Sequence, residues 1–462
     1  MGPLETRCLD IPYLVIPSMN ERIYPRRMDR KSFIPAVIRR GFGMATTQFQ
    51  EAIFTYYFYR MISRARGVYL IYDSRTEGLH SGSPSRFILQ LRHLYARNRV
   101  RFTRYNFQTT PARPELVTVA KTGDIPQEID RYFRQDLDKN EIRHLSASSL
   151  NRLISCPLYF YISSLRRIDQ DTKPSDGMTS ADIGSVVHNA LQHIYLSMAE
   201  NGSYPIEVTT EKLAAACTDT AIRPFVIAAV NIEVYKADRD ANGNKITPAP
   251  EALTKEPEPT VLSLVPHMVA MVKNVLAHDM NRYAPFSILS MEDKKNVTYQ
   301  LTDGSLANLT YIIDRVDEKE GQVRIVDYKT GAYHERAADM DEIFACGEKQ
   351  HPDSLFQLML YSYLWMRDNP DKFTGTVRPL IYDLAEMSDP AKGEKPAKLG
   401  KNGKNFTDAD LVGAHDDFMQ KFEALLADLR NPERPFAQAP SNSSACTYCP
   451  FAKPICNRVT DK

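Results

Sequence analysis

The segment IIDRVDEKEGQVRIVDYKTG, residues 312 to 331, constrains the fold of this chain more than any other stretch. Residues 309 to 316 and 323 to 328 read as two strands around the turn signal Glu318-Lys319-Glu320-Gly321, which predicts a hairpin. Such a hairpin brings Asp314 close to Asp327. Side chains alternate along a strand, so Asp327 and Lys329 project from one face. Tyr328 points away and leaves its carbonyl as a further oxygen ligand. Two carboxylates suit Mg²⁺ or Mn²⁺ better than a soft metal. An Asp and a Lys near a strand end also occur as a plain solvated turn, and the segment alone leaves both readings open.

Two helical patterns flank it. In FQLMLYSYLW, Gln357 and Tyr361 lie four apart on an amphipathic helix with Leu358, Leu360 and Leu364 among its apolar positions. They can shape a site, or simply cap and pack against a sheet. In ADIGSVVHNALQHIY, Val187, Leu191 and Ile194 share one side, and His188 follows Gly184 by four residues. A single histidine on such a helix is commonly a packed or surface residue. Beside a carboxylate pair, His188 becomes a candidate third metal ligand.

The chain has 462 residues, a formal net charge of +1 and seven cysteines. That length exceeds one hydrophobic core, so two or three domains are expected. The near-neutral charge gives no global signature of nucleic-acid binding, and any such contact must be local. Arg92, Arg97, Arg99, Arg101 and Arg104, or Arg166 and Arg167, could form a basic groove or a solvated face. No apolar run is read as a membrane span and no targeting pattern follows Met1, which suits a cytoplasmic protein without a membrane partner. Cys8, Cys217 and Cys346 are isolated, which argues against a disulfide framework. Cys446-x-x-Cys449 followed by Cys456 reads as a metal or cluster site needing one more ligand, for which Cys156 is the best candidate. Zinc and iron-sulfur both remain open on these residues.

The order Gly184-x-x-x-His188, Asp314 followed by Arg315 and Asp317, Asp327-x-Lys329-Thr330-Gly331 and Gln357-x-x-x-Tyr361 resembles the RecB-type branch of the PD-(D/E)XK nucleases. LSASSLNRLISCPLYFYI (145 to 162) and CTYCPFAKPIC (446 to 456) resemble the segments that open and close the nuclease domain of AddB-like proteins. The resemblance implies an α/β fold, a restriction-endonuclease-like mixed sheet flanked by helices, over residues 141 to 462. It implies Mg²⁺-dependent (or Mn²⁺-dependent) hydrolysis of DNA, with His188, Asp314, Asp327 and the Tyr328 carbonyl on the metal. Asp314, Asp327, Lys329, Gln357 and Tyr361 would be the catalytic set. It further implies a [4Fe-4S] cluster on Cys156, Cys446, Cys449 and Cys456, and an AddA-like partner in double-strand-break repair. A non-catalytic DNA-end scaffold is the alternative, and a truncated product that folds poorly is a third reading. Two departures from the family pattern stand out: six residues, more than the pattern has, separate Cys449 from Cys456, and before Asp314 Tyr311 replaces a small glycine, where it would narrow the DNA approach or face the core.

FQEAIFTYYFYRMISRARGVYLIYDSRTEG (49 to 78) and GSPSRFILQL (82 to 91) resemble the late part of an AddB-like superfamily 1 helicase, a partial α/β domain over residues 1 to 110 preceding the nuclease. Arg64 falls at the position of a nucleotide-proximal arginine, but without a phosphate site it is read as structural rather than as serving a partner or a missing upstream portion. No Gly-x-x-x-x-Gly-Lys-Ser/Thr loop occurs in the chain, so no ATP phosphate cradle of the usual kind is expected. Met1 within this homology suggests a truncated or split gene product. Residues 111 to 140, rich in Pro, Thr and charge, read as a linker. Residues 388 to 406 read as a Lys- and Gly-rich loop.

Overall fold

The hairpin expected from residues 309 to 328 lies in the middle of a seven-stranded sheet. This computed structural model describes residues 6, 9–25, 36–44, 47–75, 82–95, 99–105, 116–168, 178–240, 243–345, 351–371, 377–389, 392–401, 405–408, 411–440, 444–447, 449–452 and 454–456. Cys8, Arg97 and Cys346 lie outside the described residues. Two units are distinguished, Met1–Ala112 and Arg113–Lys462.

In the first unit, β1 (Tyr13–Ile16) and β2 (Gly67–Leu70) pair in parallel, and α1 (Thr47–Ile62) lies between them in sequence. Parallel neighbours need such a crossover, since a tight turn cannot join them. Met19, Phe58, Phe87 and Ile88 form a small core. Arg64 pairs with Asp10 at 2.7 Å on the exposed surface, and Arg92 lies over the Phe102 ring.

The second unit comprises β3 (Leu145–Ser146), α2 (Ala147–Ser155), α3 (Ser180–Ser197), β4 (Ile206–Val208), α4 (Asp219–Glu233), α5 (Val265–Arg282), β5 (Phe286–Gln300), β6 (Leu306–Lys319), β7 (Gln322–Lys329), α6 (Asp353–Asp368), β8 (Val377–Asp383), β9 (Glu394–Pro396) and α7 (Leu411–Arg430). The sheet order is β9-β8-β7-β6-β5-β4, with β3 also pairing with β6. β7 and β8 run parallel, as do β3 and β6, while the other pairs are antiparallel. The sheet is therefore mixed. Helices α2, α6 and α7 supply one core with Leu309, Val323 and Ile325. Helices α3, α4 and α5 supply another with Ile288, Val326 and Leu380. Alternation along β7 sends neighbouring residues to opposite cores, which is how a sheet is covered on both faces.

Several sequence expectations change. The β6–β7 turn narrows to Glu320-Gly321, at φ 54° and 80°, because Glu318 and Lys319 pair with Val323 and Gln322. Two positive φ values are the backbone of a type I′ hairpin turn, whose twist matches that of the strands. The segment read as a linker packs from residue 116 onward: Ile125, Ile129, Tyr132 and Phe133 are buried in the first core. Lys121 Nζ donates to the carbonyls of Asp428, Leu429 and Asn431 at 2.7, 2.7 and 3.0 Å, closing the end of α7. Part of the Lys- and Gly-rich loop forms β9. Pro259–Arg282, 24 residues, is long and apolar enough to cross a membrane, contrary to the sequence reading. Its Met268, Val272, Val275 and Leu276 are buried in the second core. Tyr311 takes the core alternative: it is buried and donates to Asp368 Oδ2 at 2.7 Å. Arg166 is tied to Asp124 at 2.6 Å, which removes it as a simple solvated charge.

Candidate active site

Helix α3 begins with a capping box, in which Thr179 Oγ1 accepts from the Asp182 amide at 3.2 Å and Asp182 returns to the Thr179 amide at 2.8 Å. These bonds satisfy amides that the first turn leaves without helical partners. A Cβ at Gly184 would stand 3.1 Å from Thr330 Oγ1. The missing side chain lets α3 approach the exit of β7. One turn further on, His188 Nε2 lies 3.2 Å from the Tyr328 carbonyl oxygen, and Nδ1 lies 3.1 Å from Glu292 Oε1 and 3.6 Å from Asp314 Oδ2.

The regular β6–β7 pairing stops at Arg315 and Val326. Beyond it, Asp314 Oδ2 accepts the Tyr328 amide at 2.7 Å. Asp327 turns toward α6, where Gln357 Nε2 donates to its Oδ1 at 2.9 Å and Lys329 Nζ lies 2.9 Å from its Oδ2. Tyr361, one turn after Gln357, is buried against Tyr311, with ring centroids 6.1 Å apart. Helices from opposite faces of the sheet thus meet at the end of one hairpin.

The electrostatics follow from burial. Asp327 is pushed up to about 6 by burial, with Asp314 adding to the rise against the pull of Lys329. Burial also raises Asp314, opposed by His188 and assisted by Glu292. Burial alone would lower His188, but Asp314 and Glu292 outweigh it and lift the imidazole to about 9. Ligand atoms of His188, Glu292 and Asp314 all lie within 4.8 Å of one another. Among the described residues this is the one group of at least three His, Cys, Asp or Glu side chains so arranged. Carboxylate oxygens with one imidazole suit a hard or borderline divalent ion.

A family model for the PD-(D/E)XK nuclease superfamily matches residues 144–457, more than half of the chain. The chain belongs to the PD-(D/E)XK nuclease superfamily. Members of this nuclease superfamily generally hydrolyse phosphodiesters and use a divalent metal, and the His188, Glu292 and Asp314 group is a candidate site for one. No curated protein matches the chain.

Behind the hairpin of this nuclease fold, Arg315 and Asp317 of the motif order join Asp279 and Arg324, which no motif marked, in a buried ion network. Arg315 bonds Asp317 Oδ2 at 2.6 Å and Asp279 Oδ2 at 2.5 Å, and Arg324 bonds Asp317 Oδ1 at 2.6 Å. All four side chains are 2% exposed or less. Tyr328 OH lies 3.3 Å from Arg315 Nη1, so the network holds the residue whose carbonyl faces His188. Charges are normally solvated, and only the tertiary pairing of α5 with β6 and β7 makes these legible as interior residues. Glu292, also missed, sits in the charged run Glu292-Asp293-Lys294-Lys295, which reads as a solvated strand face.

At the ends of the nuclease domain, Cys156 closes α2, and Pro157 starts the next helical turn. Cys156 and Cys456 are buried in a small apolar cluster with Leu158, Ile162 and Phe451, and Cys446 and Cys449 pack against it. The Ala439 amide donates to Cys156 Sγ at 3.3 Å. Burial and the neighbouring sulfurs push Cys449 up to about 11. The sulfurs do not form a group close enough to share a single ion by the measure that His188, Glu292 and Asp314 meet.

Proposed function

We propose that this chain is a divalent-metal-dependent deoxyribonuclease of the RecB/AddB type, acting on DNA ends in double-strand-break repair and recombination. The observation that carries the reading is the convergence of His188, Asp314, Asp327, Lys329 and the Tyr328 carbonyl at one end of the hairpin. Mg²⁺ or Mn²⁺ would be held by His188, Asp314, Asp327 and that carbonyl. The donor set fits, because two buried carboxyls whose ionisation is disfavoured gain most from a divalent cation. When bound, the metal neutralises phosphate charge and lowers the pKa of a water ligand.

The protein's own part is positioning and charge. Lys329, held beside Asp327, orients the attacking water or stabilises charge developing on the phosphate oxygens. Gln357 fixes the Asp327 carboxylate that lies next to that ammonium. Tyr361 supports the same end of the sheet and lines the DNA approach. In this reading Cys156, Cys446, Cys449 and Cys456 hold a [4Fe-4S] cluster that clasps the two ends of the nuclease domain. Their shared apolar setting and raised thiols are compatible with ligands that bind as thiolates only beside a metal. The first unit is read as the remnant of an AddB-like helicase, and an AddA-like subunit as the partner in the cytoplasm.

The test is cleavage of linear DNA with Mg²⁺ by wild type, Asp327→Ala and Lys329→Ala, each checked for folding by circular dichroism. Loss of cleavage in both variants is expected; unchanged cleavage in either overturns the site. Anaerobic purification should yield a brown protein, and a colourless zinc protein overturns the cluster.

A further inference from the structure

Glu292 stands in an unusual place. It lies on β5 opposite Asp314, between the paired positions Met291↔Arg315 and Asp293↔Ile313, at a point where no pair is formed. Its φ is 48°, in the left-handed region that residues other than glycine adopt uncommonly. That backbone aims its carboxylate at α3, where Oε1 meets His188 Nδ1 at 3.1 Å. The opposite ring nitrogen, Nε2, faces the Tyr328 carbonyl at 3.2 Å. Asp314 Oδ2 also lies 3.6 Å from Nδ1, but that oxygen already accepts the Tyr328 amide at 2.7 Å.

A histidine that binds a metal through one nitrogen commonly gives its other N–H to a carboxylate, which sets the tautomer and the ring orientation. We propose that Glu292 is a positioning residue of this kind: it accepts the Nδ1 proton of His188 and directs Nε2 to the metal beside the Tyr328 carbonyl. The proposal rests on the reading of His188 as a metal ligand. It explains why a glutamate, rather than a glycine, occupies a positive-φ position where the β5–β6 pairing is interrupted between Met291 and Asp293. It also separates Glu292 from the ligands themselves, although its carboxylate lies close enough to be one.

The experiment is Mn²⁺ binding to the full chain, read from the free-ion EPR signal, for wild type, His188→Ala, Glu292→Ala, Glu292→Gln, Glu292→Gly and the double variant His188→Ala/Glu292→Ala. Glu292→Ala should weaken binding about 10–100-fold, the range usual for an outer-shell partner. Glu292→Gln keeps an oxygen that accepts from Nδ1 and should stay within a few-fold of wild type. The double variant should bind no more weakly than His188→Ala, because Glu292 acts through the imidazole. Glu292→Gly relieves the backbone and should melt no lower than wild type without metal, yet bind as weakly as Glu292→Ala. Unchanged affinity in Glu292→Ala overturns the proposal. Additive losses in the double variant, with Glu292→Gln as weak as Glu292→Ala, overturn it in favour of direct ligation. If wild type binds no Mn²⁺, or His188→Ala binds as tightly as wild type, the metal-site reading itself fails and the proposal falls with it, a result distinct from either outcome at Glu292.

Discussion

The Gln357 amide donates to Oδ1 of Asp327 at 2.9 Å, tying helix α6 to the end of β7. The other carboxylate oxygen faces Lys329, so the amide decides which way the carboxylate is turned. Gln357→Ala should reduce Mg²⁺-dependent cleavage by about 10–100-fold while the protein stays folded, as expected for a group that orients a ligand. Steady-state kinetics of linear-DNA digestion checks this, and a variant as active as wild type refutes it.

Without metal, the site should lose stability as pH rises. The folded pKa of Asp327 is raised from 3.8 to about 6, and that of His188 from 6.5 to about 9. A raised folded pKa means that the folded state holds the proton more tightly, so each contribution is complete below the unfolded value and lost as pH climbs through the folded one. The window therefore runs from about pH 4 to about pH 9. A divalent ion displaces these protons, and its affinity should rise across the same range. Melts at pH 5.5, 7 and 8.5, with and without Mn²⁺, should show a metal-induced increase in Tm that grows with pH. A constant increase would contradict the assignment.

Arg315 links two carboxylates in the interior. Replacing it with methionine leaves Asp279 and Asp317 short of a countercharge, a change that costs about 3–5 kcal/mol when one partner of a buried pair is removed. Urea unfolding of Arg315→Met should show that loss, together with weaker metal binding through Tyr328. A loss below about 1 kcal/mol would mean that the network relaxes around the gap.

Lys121 closes the last turn of α7 with three carbonyl contacts. Burial lowers its pKa to about 8. Lys121→Met keeps the stem but not the donors and should destabilise the second unit by about 1–3 kcal/mol. Denaturant midpoints for the two proteins decide it.

The residues at the end of the hairpin were legible because their placement is local: alternation separates Asp327 and Lys329 from Tyr328, and a four-residue helical step joins Gln357 to Tyr361. His188 required only that α3 carry an apolar side. The rest depended on distant pairing. Asp279 and Arg315 are charges that belong in water until each meets the other, and no spacing announces that meeting. Glu292 escaped notice because its direction comes from an irregular backbone between Met291 and Asp293, not from strand periodicity. The segment around Ile125 and Ile129 looked like a linker because few apolar residues stand among many polar ones, yet those few reach the core. The turn was misjudged by two residues for a similar reason: Glu318 and Lys319 resemble turn residues but hydrogen-bond as strand.

The two-residue turn at Glu320-Gly321 works as a ruler. Asp314 and Arg315 are adjacent in the chain and serve opposite sides of the sheet, one beside His188 and the other beside Asp279. A slip of one residue in the hairpin would exchange them, placing a guanidinium where the metal ligands converge and a carboxylate in the interior. A one-residue insertion that shifted the pairing of β6 should therefore empty the metal site and unpair Asp279 together, whereas a two-residue shift would return each side chain to its own face.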